Sequence, residues 1–322
     1  MPAVSVIICA HNPRPDYLQR ALDALKAQTL PRPEWELLLV DNASKEPLSS
    51  AHDLSWHPQG RHVRENDLGL TAARLCGIKE AKGELFVFVD DDNVLSPDYL
   101  SHAWEISSTK TCVGAFGGNV VGEFETPPES WVNIMFSVFA VVDVKAEQWT
   151  CGPGTTAQLM APCGSGMVIR KTVAAYWANV TTSDPLRRGL GRKGNSLSGS
   201  EDIDMALCAC VLGLAVGRFP QLRLAHLIAA RRLQREYLLR LAEGSAFSDA
   251  MLHYIWDGRM PRQDDGQYSR SEKLFRAYKS LTYRLSNWRK PSFGYEHTLA
   301  CQRGLARAIE AVGSLNSTTP RT

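Results

Sequence analysis

The apolar block Leu85 to Val89 (LFVFV) is uninterrupted and runs into Asp90-Asp91-Asp92-Asn93. A strand without polar alternation is buried on both faces, the mark of a parallel sheet covered by helices. Two earlier stretches read as strands of the same kind: Val4 to Cys9, rich in β-branched residues, and Trp35 to Val40, which ends at Asp41. A weaker strand is expected over 61–65. Between these blocks the apolar period changes to that of a helix. Leu18, Ala21, Leu22 and Leu25 form one stripe, opened by Pro15 and Asp16 in first-turn positions. Leu70 to Lys82 reads as a second helix, stopped by Gly83. This βαβα alternation predicts an α/β domain with a mostly parallel central sheet.

Further along, glycines at 114, 117, 118, 122, 152 and 154 loosen the pattern, although Val113 to Val121 still reads as a strand. The GPGT at 152–155 follows no strand and reads as a plain loop. Residues 184–199 (DPLRRGLGRKGNSLSG) read as a mobile surface loop whose Arg187, Arg188, Arg192 and Lys193 could meet a diphosphate. From Arg231 the pattern is helical. Leu233, Tyr237, Leu238 and Leu241 share one face, Leu274, Tyr278 and Leu281 another, and Tyr295 to Val312 is a third candidate helix. The reading is a catalytic domain over 1–228 and a helical C-terminal extension over 229–322.

Charge changes this picture only in its distribution. The formal net charge is +2, which gives no pull toward nucleic acid. Residues 1–228 hold 20 Lys/Arg against 25 Asp/Glu, whereas residues 229–322 hold 16 against 9. The basic tail fits either an acidic or lipid-phosphate acceptor at the inner membrane surface or a solvated helical face. The eight cysteines show no metal-ligand spacing and read as reduced core residues. No leader sequence opens the chain, and the apolar run Trp131 to Val142 falls short of the ~20 residues a spanning helix needs. The expectation is a cytoplasmic protein.

Candidate chemistry gathers at strand and helix ends. Asp41 and the Asp90–Asp92 triplet both end strands, and in open parallel sheets ligands bind beyond the carboxyl ends. Three adjacent carboxylates repel one another unless a cation shares the site, and Mg²⁺ or Mn²⁺ carrying a diphosphate would meet that need. The plainer reading is a solvated acidic turn before a helix capped around Ser96-Pro97-Asp98. A third acidic group, Glu201-Asp202, follows Ser200 in the position of a helix N-cap. Ile203, Ala206, Leu207, Cys210 and Val211 are expected to form the buried face of that helix. First-turn acids are common for helix stability alone. An acid there, carried back to the crevice, could instead act as a general base.

Five segments in order resemble glycosyltransferase family 2: SVIICAHN at 5–12, LLLVDNAS at 37–44, GLTAARLCGIKEAKGELFVFVDDDN at 69–93, GSGMVIRK at 164–171 and SEDIDMALCACVLG at 200–213. The resemblance covers about residues 4–228. It departs from the common pattern at Leu75, where relatives carry Asn. It implies a GT-A-type fold and an inverting transfer of a sugar from a nucleotide-diphosphate sugar to a hydroxyl of a saccharide or lipid-linked saccharide, in polysaccharide or glycoconjugate synthesis. It further implies that Ala10, His11 and Asn12 line the nucleotide pocket, that Asp41 accepts from the base, and that Arg74 meets the nucleotide. Asp90 and Asp91 would contact the donor, with Asp92, Asp90 and His226 toward a divalent ion. Asp202, with Glu201 beside it, would be the catalytic base. His226 has a second reading, a hydrogen-bonded core histidine. Two other classes compete: a non-catalytic sugar-nucleotide or glycan-binding relative, which should have lost these carboxylates, and a nucleotidyltransferase, which should carry a glycine-rich basic loop after the first strand. The chain has AHNPRP there instead.

Overall fold

A computed structural model describes residues 2–152, 155–260 and 292–318. In chain order the front half comprises β1 (Val4–Ala10), α1 (Pro15–Lys26), β2 (Trp35–Asn42), the short α2 (Leu48–Ala51), β3 (Gly60–Glu65), α3 (Leu70–Glu80), β4 (Leu85–Asp90), β5 (Asn93–Leu95), α4 (Tyr99–Thr109) and β6 (Val113–Phe124). A 3₁₀ segment (Ser130–Phe139) leads to β7 (Gln148–Thr150), α5 (Thr155–Met160), β8 (Val168–Arg170), α6 (Lys171–Ser183), α7 (Pro185–Arg188), α8 (Glu201–Val211) and β9 (Ala215–Ile228). After a 3₁₀ turn (Ala230–Leu233) come the long helices α9 (Arg235–Asp257) and α10 (Phe293–Thr318). The expected helical face at Leu274, Tyr278 and Leu281 and the centre of the 152–155 loop lie outside the described residues.

One sheet runs in the order β3-β2-β1-β4-β8-β6-β9-β5, with β7 paired to β9. β3, β2, β1 and β4 are parallel. β8 enters antiparallel between β4 and β6, and β9 lies parallel to β6. β2 and β4 therefore flank β1, and their carboxyl ends open on the same edge. Burial explains the apolar blocks residue by residue. Val4, Val6 and Ile8 of β1 with Val87 and Val89 of β4 pack under Leu18, Leu22 and Leu25 of α1 and Leu100 of α4. The alternate residues Ile7, Phe86 and Phe88 pack under Ala73 of α3, Trp177 of α6 and Met205 of α8. Gly77 lets α3 press onto β1, since a Cβ there would stand 2.5 Å from Ile7 Cγ2.

Two expectations change. The buried residues of α8 are Glu201, Asp204, Met205, Ala206, Leu207, Cys208 and Ala209, so Ala206 and Leu207 are buried as expected, whereas Val211 is exposed and Ile203 and Cys210 are only partly buried. The apolar stripe misleads because α8 is enclosed on several sides, and Asp204 is accommodated by bonds: Trp177 Nε1 donates at 2.9 Å, Trp256 Nε1 at 2.8 Å, and Arg187 Nη1 pairs with it. Ser200 stands at the N-cap position, but its hydroxyl caps nothing and donates to Asp249 Oδ1 at 3.0 Å. The run 131–142 is neither spanning nor isolated. Val132, Met135 and Phe139 share a core with Ile228 of β9, with Leu238 and Leu241 of α9, and with Phe293 and Ala300 of α10. The C-terminal helices are thus cemented to the sheet domain.

Behind the β3 edge, His57 lies between Trp35 and Trp56, with ring centroids 4.1 and 5.5 Å away. Its Nδ1 accepts from Gln59 N at 3.2 Å, so this imidazole is neutral. Burial, assisted by nearby Arg32, lowers its pKa from 6.5 to about 4. As pH falls from 6.5 toward 4 the unfolded chain takes up this proton first. The contribution of His57 is therefore fully present above pH ~6.5 and is lost toward pH 4, by up to about 3 kcal/mol. Burial lowers His52 and His62 in the same direction. Urea midpoints measured across this window should fall with pH, and His57→Leu should flatten the decline; parallel curves would show that His57 does not drive it.

Candidate active site

A cavity of about 580 Å³ opens where β1, β2 and β4 end. β1 brings Cys9 and Ala10 to its wall, followed by His11, and β2 brings Asn42. Asn42 is buried and organises the opposite rim, accepting from Gly69 N at 2.8 Å and donating to Asp67 O at 2.8 Å. Asn12 and Asp41, by contrast, do not line the cavity. Asn12, with a φ of 45°, ties two loops together by bonds to Ser44 and Lys45. The Asp41 carboxylate accepts from Ser44 N, Leu48 N and Arg64 Nη1, at 3.0, 3.0 and 2.6 Å, and so braces the β2 loop.

β4 delivers Asp90, Asp91 and Asp92 to the cavity. Buried Asn93 shapes this turn, accepting from Asp90 N and donating to Asp92 Oδ1. Enclosure by protein and the two neighbouring carboxylates push Asp91 up to about 8. The cations answering this charge come from three distant segments. Arg74 of α3, only 2% exposed, lies 3.9 Å from Asp90 Oδ1 and donates to Glu201 Oε1 at 3.1 Å. Arg192 lines the cavity from the 184–199 loop. Arg232, which sequence reasoning missed, donates to Asp92 Oδ2 at 3.1 Å. No periodicity marks Arg232; it follows β9 in a 3₁₀ turn, and only the fold brings it back to the triplet.

His226 is buried and hydrogen-bonded, as its second reading expected, and it also faces the acidic turn. Its Nδ1 lies 2.8 Å from Phe139 O, and its Nε2 lies 3.0 Å from Arg232 Nη1 and 3.3 Å from Asp92 Oδ2. A guanidinium only donates, so Nε2 carries the lone pair and Nδ1–H donates to the carbonyl. Two electron-pair donors thus face each other 3.3 Å apart with a cation bridging them. With Arg232 displaced, Asp92 and His226 would be the side chains placed to hold a divalent ion between them. Asp90 turns instead toward Arg74 and Ser165. Among the described residues no group of three or more His, Cys, Asp or Glu side chains gathers as a complete protein cage.

At the other wall α8 presents Glu201 and Asp202. Burial and Asp202 raise Glu201 to about 7 against the opposing Arg74 and Arg192. Asp202 is the more accessible of the two. Burial raises its pKa, with Arg74 and the N–H groups of Gly164 and Ile203 opposing. Gly164 N donates to Asp202 Oδ2 at 2.6 Å. A side chain at 164 would collide with Arg74, since a Cβ there stands 2.5 Å from Nη2. Of the four basic loop residues expected to meet a diphosphate, Arg187 is pinned to Asp204, and Arg188 and Lys193 pair with Asp67. Arg192 and Lys193 line the cavity, and Arg192 O accepts from Leu70 N at 2.8 Å, which ties the loop to α3.

A parallel sheet edge with an acidic strand end faces a helix-borne acid pair across one cavity, at the carboxyl ends of the strands where α/β proteins bind ligands. The family described as Glycosyl transferase family 2 matches residues 5–164, and the chain belongs to that family. It is 31% identical over 130 residues to the glycosyltransferase AglE of Haloferax volcanii, a match covering 39% of this chain and 41% of that protein. It is 28% identical over 129 residues to the succinoglycan biosynthesis protein ExoW of Rhizobium meliloti, covering 38% and 39%. The chain thus spans less than half the length of these relatives. The structure of residues 1–349 of S. aureus TarS in complex with UDP-GlcNAc superposes with a TM-score of 0.53 over 98% of this chain and 92% of that one, at 14% identity. That likeness establishes a GT-A-like fold. Among the described residues no helix is long and apolar enough to cross a membrane.

Proposed function

We propose that the chain transfers a glycosyl group from a nucleoside-diphosphate sugar to an acceptor hydroxyl, with inversion, in the synthesis of a polysaccharide or glycoconjugate. The observation that carries this reading is the convergence on one cavity of the Asp90–Asp92 turn, His226, Arg74 and the Glu201-Asp202 pair, drawn from four separate segments. The β1 and β2 ends with the Gly69 rim would hold the nucleoside. Asp202, set by Gly164 N–H, would take the acceptor proton as the oxygen attacks the anomeric carbon from the side opposite the diphosphate. Glu201, buried against Arg74, would hold that guanidinium beside Asp90 rather than react. A divalent ion, manganese or magnesium, held by Asp92 and His226 would offset the charge of the departing diphosphate; an imidazole among oxygen ligands favours manganese over the harder magnesium. A peripheral membrane contact would fall to the basic tail, of whose 16 Lys/Arg eight lie in 261–291, outside the described residues.

The test is a panel of sugar nucleotides, led by UDP-GlcNAc because the TarS structure holds it, incubated with Mn²⁺ and a saccharide mixture. Release of nucleoside diphosphate with a mass-identified glycoside product is the expected result. Tight nucleotide binding with neither hydrolysis nor transfer for any donor would favour a non-catalytic binding protein instead.

A further inference from the structure

The acceptor side of the cavity is not built by the family-matched segment alone, because α9 supplies a wall of it. Leu241, Ser245 and Asp249 all line the cavity, and their spacing of four stacks them along one side of the helix. This face is fixed closely against the segment that leads into α8. Gly244 lies backbone to backbone on Leu197, where a Cβ would stand 2.7 Å from the Leu197 carbonyl carbon. Gly199 N donates to Ser248 Oγ at 3.3 Å, and Ser200 Oγ donates to Asp249 Oδ1 at 3.0 Å. The stripe therefore grades from an apolar end at Leu241 to a carboxylate at the mouth of the helix that carries Asp202.

We infer that this stripe is the acceptor subsite and that it selects an uncharged, polyhydroxylated acceptor, with Asp249 accepting from acceptor hydroxyls. The inference rests on the transferase reading above. A carboxylate has about four acceptor positions, and Ser200 uses one of them. Leu241 is mostly buried, and the partly buried Leu197 that Gly244 packs against adds apolar lining; apolar surface beside a hydroxyl acceptor suits a sugar ring, which offers C–H groups on its faces and O–H groups on its rim. A phosphorylated acceptor would meet two carboxylates, Asp249 and Asp202, with no cation on the stripe to balance it. The other cations of the cavity face elsewhere: Arg74 donates to Glu201, Arg232 to Asp92 and Arg218 to the Ala161 carbonyl at 3.0 Å, Lys193 pairs with Asp67, and Arg192 lies in the field of Glu201, Asp90 and Asp92. Burial raises the pKa of Asp249, with Ser200 and then His253 of the same helix opposing and Asp202 adding to the rise. The sequence alone suggests the opposite, since the tail as a whole is basic; among the described residues none of its Lys or Arg lies on the stripe.

Saturation-transfer NMR on the full chain with UDP and Mn²⁺ tests this with two probes, the neutral disaccharide N,N′-diacetylchitobiose and the anionic ribitol 5-phosphate. The disaccharide should give the signal, and Asp249→Asn should weaken its binding about tenfold or more while calorimetric UDP affinity moves less than about threefold. Ser200→Ala removes the tether without touching the stripe and should retain disaccharide binding. Preference for ribitol 5-phosphate, binding of neither probe, undiminished binding in Asp249→Asn, or an equal loss in Ser200→Ala would each overturn the inference. Because the readout is binding, disaccharide bound without turnover of any donor would sink the transferase reading and leave the stripe as a saccharide site.

Discussion

Asp202→Asn should slow glycosyl transfer by about 10²–10⁴-fold, the usual cost of removing a general base, and leave affinity for the nucleotide donor within about threefold. The asymmetry follows from where Asp202 stands. Its Oδ2 is anchored by Gly164 N at 2.6 Å, on the wall opposite the β1 and β2 ends that would hold the nucleoside. Asn keeps a carbonyl oxygen for the Gly164 N–H and removes the charge, the basicity and the bond that Oδ1 accepts from Ile203 N at 2.8 Å. Folding should not suffer, because burial already favours the uncharged form of Asp202 in the native state. The same shift gives a pH prediction. A base works only when ionised, so transfer by the wild type should fall as pH drops through a pKa above the ordinary Asp value of 3.8. Measuring kcat and donor Kd together separates the roles. A variant that transfers at the wild-type rate but binds donor poorly would make Asp202 a donor contact, and the base would have to be sought at Glu201.

What the sequence made legible follows from the range of the interactions. The β1, β2 and β4 blocks and the α1 stripe are local patterns imposed by a sheet covered on both faces, and their limits fall within about two residues of those read. The acids at strand and helix ends were legible because GT-A relatives share their order and spacing. Long-range partners were not. Asp204 sits in an apolar helix at a position that looks like a solvated first turn, and only the fold reveals Trp177, Trp256 and Arg187 around it. Arg232 and Asp249 lie beyond the segments that carry the resemblance, in a tail whose helical period says which residues face a core but not which face a cavity. Asp41 shows the converse. Its strand-end position is as read, yet its carboxylate is occupied by Ser44, Leu48 and Arg64, a bracing role that any buried loop carboxylate could fill.

The second large effect concerns Asp92. Asp92→Asn should reduce kcat/KM by about 10²-fold or more, several kcal/mol of transition-state stabilisation, because the leaving diphosphate loses its counter-charge. EDTA should abolish turnover by the wild type and Mn²⁺ should restore it. The competing cation is the chain's own. Arg232 Nη1 bridges Asp92 Oδ2 and His226 Nε2 at 3.1 and 3.0 Å, while its Nε is buried without a partner. A guanidinium satisfied on one side only is a weaker occupant than a divalent ion with two protein ligands and a diphosphate, so nucleotide and metal together should displace it. Arg232→Gln removes the competitor and should tighten Mn²⁺ binding, read from the loss of the free-ion EPR signal, in the absence of nucleotide. Asp92→Asn should weaken it. These two variants also distinguish the alternatives. If the wild type turns over fully in EDTA and Arg232→Gln is the variant that loses transfer, the guanidinium itself supplies the counter-charge and the metal assignment to Asp92 and His226 falls.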